Sequence, residues 1–155
     1  MTVRFAEAEE LERVNELRKQ VNDLHVEGKP EIFKPGFSEE MRALLYSFFR
    51  DPLKRIVVCE DGGEIVGFAI LSRVTKPENP VKRALDYIDI DEFGVDESCR
   101  RRGTASAMIA FIRGWAKEQG VERLELNMWE FNRGALAFYE AAGFSTYRRY
   151  MEMQL

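Results

Sequence analysis

The sequence predicts a mixed α/β fold, with a mostly antiparallel sheet and the element order β-α-α-β-β-β-α-β-α-β. Three observations predict it. Apolar residues recur at helical spacing near the N-terminus, a Gly-Gly hairpin joins two apolar strands in the middle, and the second half alternates strand and helix.

A short strand is expected at Val3–Phe5. Leu11, Val14, Leu17, Val21 and Leu24 then recur every three or four residues, which marks an amphipathic helix from about Glu7 to Leu24. The stretch "HVEGKPEIFKPGF" breaks the pattern with Gly28, Pro30, Pro35 and Gly36 and reads as a loop from His25 on. Ser38 can cap a second helix, with Glu39 and Glu40 in its electropositive first turn. Its apolar face would carry Met41, Leu44, Leu45, Phe48 and Phe49.

"RIVVCEDGGEIVGFAILSRV" reads as two strands joined at Asp61-Gly62-Gly63. A third strand of this group runs from about Leu85 to Val95. Ile88 and Ile90 share a face, whereas Phe93 and Val95 have the opposite parity. An extra residue between 90 and 93, a β-bulge, reconciles them. A long helix is expected from Gly103 to Gln119, a strand over "VERLELNM", and a helix from about Asn132 to Ala142. Gly120 and Gly143 stop the two helices, and "FSTYRRYMEMQ" is expected to close the chain as a strand. No repeat or linker interrupts this order, so residues 1–155 read as a single domain.

Composition narrows the function. With 155 residues, 45% hydrophobic and 32% charged, the chain has the make-up of an ordinary globular protein. A net charge of −4 argues against a nucleic-acid binder. No apolar run reaches the length of a membrane span, and the acidic start "MTVRFAEAEELERV" does not resemble a signal peptide. Cys59 and Cys99 have neither metal-ligand spacing nor a disulfide framework around them. A reduced, cytoplasmic protein without a metal is expected.

Against that acidic balance, "RRRGTA" stands out at residues 100–105. It lies between a strand and the start of a long helix, where unpaired backbone N–H groups and the helix dipole favour an anion. Gly103 lets the backbone approach a ligand closely, and the arginines add charge-assisted contacts to phosphate oxygens. Three basic residues at a helix N-terminus oppose the dipole, so helix stability alone does not favour them. Neither G-x-x-x-x-G-K-[ST] nor G-x-G-x-x-G is present, which argues against the common mononucleotide and dinucleotide loops.

"VDESCRRRGTASAMI" resembles the acetyl-coenzyme A motif of the GNAT N-acetyltransferase superfamily, a strand ending in Val followed by [QR]-x-x-G-x-[GA] opening a helix. Val95, Arg100, Gly103 and Ala105 fill it. Cys99 replaces the usual aromatic, and Ala105 the commoner second glycine. "NRGALAFYEAAGF" is similar to a second signature of that superfamily, matched by Asn132, Ala135, Phe138, Tyr139, Gly143 and Phe144.

The resemblance implies an acetyl-coenzyme A-dependent N-acetyltransferase that moves an acetyl group directly to a primary amine in a ternary complex. It implies that the turn Arg100, Arg101, Arg102, Gly103, Thr104 and Ala105 holds the pyrophosphate. The pantetheine arm would lie along Phe93 and Val95, where two central strands splay apart, with Asn132 bonded to it. Tyr139 stands where the superfamily commonly has the acid that protonates the thiolate. Glu92 is the expected base and Asp91 the second candidate, with water as a further alternative. His25, the only histidine, is expected near the acceptor, together with Glu92, as a pocket residue or proton shuttle. Trp129 and Phe131 read as packing or as a pocket rim.

The expected partner is a small-molecule or peptide amine, with neither nucleic acid nor membrane. A homodimer through the closing strand or the Trp129 region is compatible with the sequence, but no residue pattern carries it. The reading from a different class is a non-catalytic acyl-coenzyme A sensor or interaction module on the same fold.

Overall fold

The computed structural model describes residues 1–155. It contains strands β1 (Thr2–Phe5), β2 (Lys54–Asp61), β3 (Glu64–Lys76), β4 (Leu85–Val95) and β5 (Leu124–Leu126). The helices are α1 (Leu11–Gly28), α2 (Glu39–Arg50), α3 (Thr104–Glu118) and α4 (Arg133–Ala141). The sheet order is β1-β2-β3-β4-β5; the first three pairings are antiparallel and β4–β5 is parallel.

The side-chain period of two in β2 and β3 divides the apolar residues between two cores. Ile56, Val58, Phe68 and Ile70 meet Leu11, Val14 and Leu17 of α1 and Leu45 of α2. Val57, Ala69, Leu71, Ile88 and Ile90 meet Met108, Ile109, Ile112 and Ala116 of α3 on the other face. Helices therefore cover both faces, and the edges near β4 and β5 are left for a site.

Turn chemistry follows the sequence closely. Gly62 and Gly63 both have positive φ, as the tight hairpin requires, and Gly120 and Gly143 have left-handed φ after α3 and α4. The Ser38 hydroxyl accepts from the Met41 N–H to cap α2. The α2 face is narrower than its apolar residues suggest, since Leu45 is sealed but Leu44 and Phe49 remain exposed.

Three expectations change. α1 does not end at Leu24; it runs through His25 to Gly28, and the Lys29 N–H closes it on the His25 carbonyl. The expected loop thus starts four residues later. β5 is only three residues long, because β4 pairs with it only at Ile88, Ile90 and the residue between. The expected closing strand over "FSTYRRYMEMQ" does not form: no strand pairs with it, and Tyr150, Met151 and Met153 are exposed. So short a β5 offers no ladder to which the tail could add, and the observed order is β-α-α-β-β-β-α-β-α.

Candidate active site

β4 ends at Val95, and the chain then makes the basic turn. Asp96 caps a short 3-10 turn over Glu97–Cys99 by accepting from the Ser98 N–H at 3.0 Å and the Ser98 hydroxyl at 2.7 Å. Arg13 of α1 reaches the same carboxylate at 2.5 Å, and Gln20 accepts from the Glu97 N–H at 3.1 Å. The Ser98 hydroxyl and N–H, helped by Arg13 and Gln20, overcome burial and hold the Asp96 carboxyl down at about 2.

Beyond this anchor, Arg101 has φ 64° and Gly103 φ 87°, two left-handed residues flanking Arg102. Such alternation turns successive N–H groups toward one side and forms an anion-binding concavity. Gly103 is the N-cap of α3 and supplies no side chain, so the first amides of α3 have no cap and face outward. A Cβ on Gly103 would meet nothing within 4 Å, so the space above the turn is open. Arg100, Arg101 and Arg102 are exposed around it, and only Arg100 has an acidic neighbour, Glu97 at 3.8 Å. Thr104 points the other way and is buried against Gly67, while Ala105 is half-buried.

The bulge lies where the parity change placed it. Ile70 pairs with Glu92 and Leu71 with Ile90, so Asp91 is the extra residue. Ile88 and Ile90 consequently share the α3 face with Phe93. β5 leaves β4 at this same point, and no strand flanks β4 on that side from Asp91 to Val95. A cleft opens between them. Gly94 lets α1 close over it, since a Cβ there would stand 2.6 Å from the Phe68 ring and 2.8 Å from Val21 Cγ2.

Aromatic rings wall the cleft on the α4 side. Phe93 stacks on Phe138 with centroids 6.3 Å apart and meets Tyr139 edge-on at 6.2 Å. Phe144 closes the other side of Tyr139 at 5.7 Å. Burial among these rings pushes the Tyr139 phenol up to about 12, so it remains a proton donor throughout the neutral range. Asn132 Oδ1 caps α4 by accepting from the Ala135 N–H at 3.0 Å, which leaves its NH2 group free to donate elsewhere. A groove of about 300 Å³ between α3 and α4, lined by Ser106, Ile109, Arg113 and Phe138, continues from this wall.

The two expected bases stand on the opposite face, toward α1 and α2, and both are engaged. Glu92 receives Arg18 Nε and Nη2, each at 2.8 Å, in a two-pronged pair. Arg18 is 5% exposed and also donates to Asn15 Oδ1 at 3.0 Å and the Met41 carbonyl at 2.8 Å, tying α1, α2 and β4 together. Asp91 receives Lys54 Nζ at 2.9 Å and the Ser72 hydroxyl. Nothing in the sequence singles out Arg18, which reads there as one more helix arginine. Asp89 is half-buried, and burial followed by the nearby Asp91 and Glu125 carboxylates raises its pKa.

His25 lies on this second face. Its ring stacks on Phe33 at 4.8 Å and meets Phe131 edge-on at 6.4 Å, and Phe33 in turn meets Trp129 at 5.1 Å. Burial pushes the imidazole below its ordinary value, against the opposing pull of the Glu92 carboxylate. The geometry thus brings a basic turn with free backbone N–H groups, a strand edge without a neighbour, a half-buried phenol and an imidazole on the α1 side around β4.

The sequence pattern of the Acetyltransferase (GNAT) family matches residues 18–144. The uncharacterized N-acetyltransferase YdgE of Bacillus subtilis is 31% identical over 98 residues, covering 63% of this chain and 59% of that protein. The uncharacterized N-acetyltransferase MJ1207 of Methanocaldococcus jannaschii is 34% identical over 92 residues, covering 56% of this chain and 37% of that one. The chain thus spans less than two thirds of the length of these curated relatives. The crystal structure of a point mutant of the BH1408 protein from Bacillus halodurans superposes with a TM-score of 0.95 at 25% identity, over 100% of this chain and 99% of that one. The fold is shared too with the aminoglycoside N-acetyltransferase AAC(6')-Iy, solved in complex with CoA, at a TM-score of 0.78 and 19% identity, over 99% of this chain and 93% of that one.

Proposed function

The chain belongs to the acetyltransferase (GNAT) family, and from that premise we propose that it transfers the acetyl group of acetyl-coenzyme A to a primary amine. One observation carries the reading: a free strand edge, Asp91–Val95, leads through a short 3-10 turn into an uncapped helix N-terminus with two left-handed residues and three exposed arginines. An extended amide arm ending in a pyrophosphate fits that succession. The edge offers strand-like hydrogen bonds, and the turn offers N–H groups and positive charge. The CoA complex of AAC(6')-Iy, on the same fold, supports the choice of ligand.

In this reading the residues divide the work. Phe93 and Val95 line the arm, Asn132 donates its free NH2 to it, and residues 100–105 hold the phosphates. The coenzyme supplies an activated acetyl thioester. Tyr139, protonated across neutral pH, donates a hydrogen bond and then a proton to the departing sulfur. The acceptor enters from the α1–α2 side, over Glu92 and His25.

Isothermal titration with acetyl-coenzyme A, with ATP and NAD as controls, tests the ligand, and thiol release with a panel of amines tests the transfer. Selective 1:1 binding together with thiol release supports the reading, and the absence of acetyl-coenzyme A binding refutes it. Arg100→Ala should weaken binding about tenfold, the value of one lost charge-assisted contact.

A second reading, a non-catalytic acyl-coenzyme A sensor, has one observation in its favour: both carboxylates at the expected base position are committed to cations. Tight binding with no transfer to any amine would establish it.

A further inference from the structure

We infer that His25 is the group that takes the proton from the incoming ammonium; the inference rests on the acetyl-transfer reading above. Because α1 continues to Gly28, His25 lies seven residues beyond Arg18, two turns along the same face. Arg18 grips Glu92 at the β4 bulge, and His25, one turn beyond Val21 and Asn22 on that face, is close enough to feel the Glu92 charge.

Two separate stretches hold the ring. Phe33, from the loop after α1, stacks on it, and Phe131, from the segment after β5, meets it edge-on. Gly28 of α1 makes this assembly possible, because a Cβ there would stand 2.3 Å from the Phe131 ring. These contacts fix the plane of the imidazole through its faces and edges, yet none of them uses a nitrogen. No group of the chain hydrogen-bonds either nitrogen, and neither is sealed off as a buried orphan. The imidazole is held in orientation by the rings, and its nitrogens are unspent.

The competing bases are less free. Both Glu92 oxygens accept from Arg18, and Asp91 accepts from Lys54 and Ser72. Around His25, β4 presents the Glu92 carboxylate, which is paired with Arg18. Lys29, one turn further at the end of α1, is paired with Glu31 and with Glu152 of the C-terminal tail. The segment after β5 brings the Phe131 ring against the imidazole, and the loop after α1 brings Phe33. The imidazole is thus neutral near pH 7, and Glu92 stabilises the cation that forms when it accepts a proton.

The proton balance closes without another reagent. One proton passes from the ammonium to a His25 nitrogen. The freed lone pair forms the C–N bond to the acetyl carbon, and the C–S bond breaks with its electrons left on sulfur. Sulfur takes the Tyr139 proton, and the second proton of the acylated nitrogen restores the phenol. His25 then passes its proton to solvent, so ammonium and thioester become amide, thiol and one released proton.

The test follows kcat/KM against pH for acetyl-coenzyme A with tryptamine, spermidine, kanamycin and a lysine peptide, in the unaltered protein and in His25→Gln and His25→Ala. Because the chain has a single histidine, proton NMR reads its titration without ambiguity. The expected result is an acidic limb common to all amines, with a midpoint matching the NMR midpoint. His25→Gln should lose that limb and about 100-fold in kcat/KM, with acetyl-coenzyme A binding within about twofold of the unaltered protein. Added imidazole should partly restore His25→Ala.

A His25→Gln protein that keeps both rate and limb overturns the inference, as does a limb abolished by Asp89→Asn instead. If the variants do not fold, the unaltered protein still decides: a limb more than about one pH unit from the NMR midpoint overturns it. Failure of acetyl-coenzyme A to bind overturns the acetyl-transfer reading, and the inference with it. Binding and transfer with an unmoved limb overturn the inference alone.

Discussion

Tyr139 is surrounded by the rings of Phe93, Phe138 and Phe144, and its hydroxyl meets no partner within the chain. A packed aromatic with a purely structural role would lose little on becoming phenylalanine, since no hydrogen bond is broken. Tyr139→Phe should therefore leave thermal stability nearly unchanged while lowering kcat about 100-fold, with the coenzyme dissociation constant unaltered. Calorimetry, steady-state rates and titration on one preparation check all three, and an unchanged kcat removes Tyr139 from the chemistry. Arg101 gives the complementary case. Its left-handed φ of 64° costs a residue with a Cβ about 1 kcal/mol. Arg101→Gly should raise unfolding stability by about that amount and weaken coenzyme binding, with denaturant melts and titration as readouts. A turn kept for stability alone would gain from the change and lose nothing. Arg101 can be picked out in the sequence because its basic turn has a local cause, and Tyr139 through the resemblance of its helix to a superfamily signature. Arg18 cannot, because its meaning lies in Glu92, 74 residues away, and in the bulge that turns that carboxylate toward α1.

Among the elements, β4 is the most readable. Its apolar parity changes between Ile90 and Phe93, and only an extra residue lets both face α3, so the bulge follows from side-chain geometry. The end of α1 is hidden, because glycine and proline after His25 look like a loop, while Phe131 packing on Gly28 keeps the last turn helical. The closing strand is where local pattern misleads. The aromatic residues of "FSTYRRYMEMQ" suit a strand, but a strand also needs a neighbour, and β5 is too short to provide one. Gly28 makes this non-local effect measurable. Gly28→Ala drives a methyl into the Phe131 ring and should cost about 1–3 kcal/mol of stability. It should also shift the NMR signal of His25, since the same ring borders the imidazole. An unchanged melt with an unchanged signal would show that the contact is slack.

For the molecule as a whole, α1 is the common support, reaching the basic turn through Arg13 and Gln20 and the bulge through Arg18. The Asp96 carboxyl at its hub sits at about 2 in the folded chain, below the ordinary 3.8. The folded state therefore binds fewer protons than the unfolded chain between these values. Its contribution, on the order of 2 kcal/mol, is complete above about pH 4 and lost as pH falls toward 2. Urea melts across that range should show the decline, and Asp96→Asn should flatten it while lowering stability at neutral pH. The cleft has a last consequence, for handling the protein in solution. From Asp91 to Val95 an interior strand is bare along one side, and a bare strand side is a template on which other chains nucleate aggregates. Any amide-bearing molecule lying along it acts as a partner strand, so saturating the cleft should lengthen the shelf life of concentrated stocks even where it adds nothing to the melting temperature.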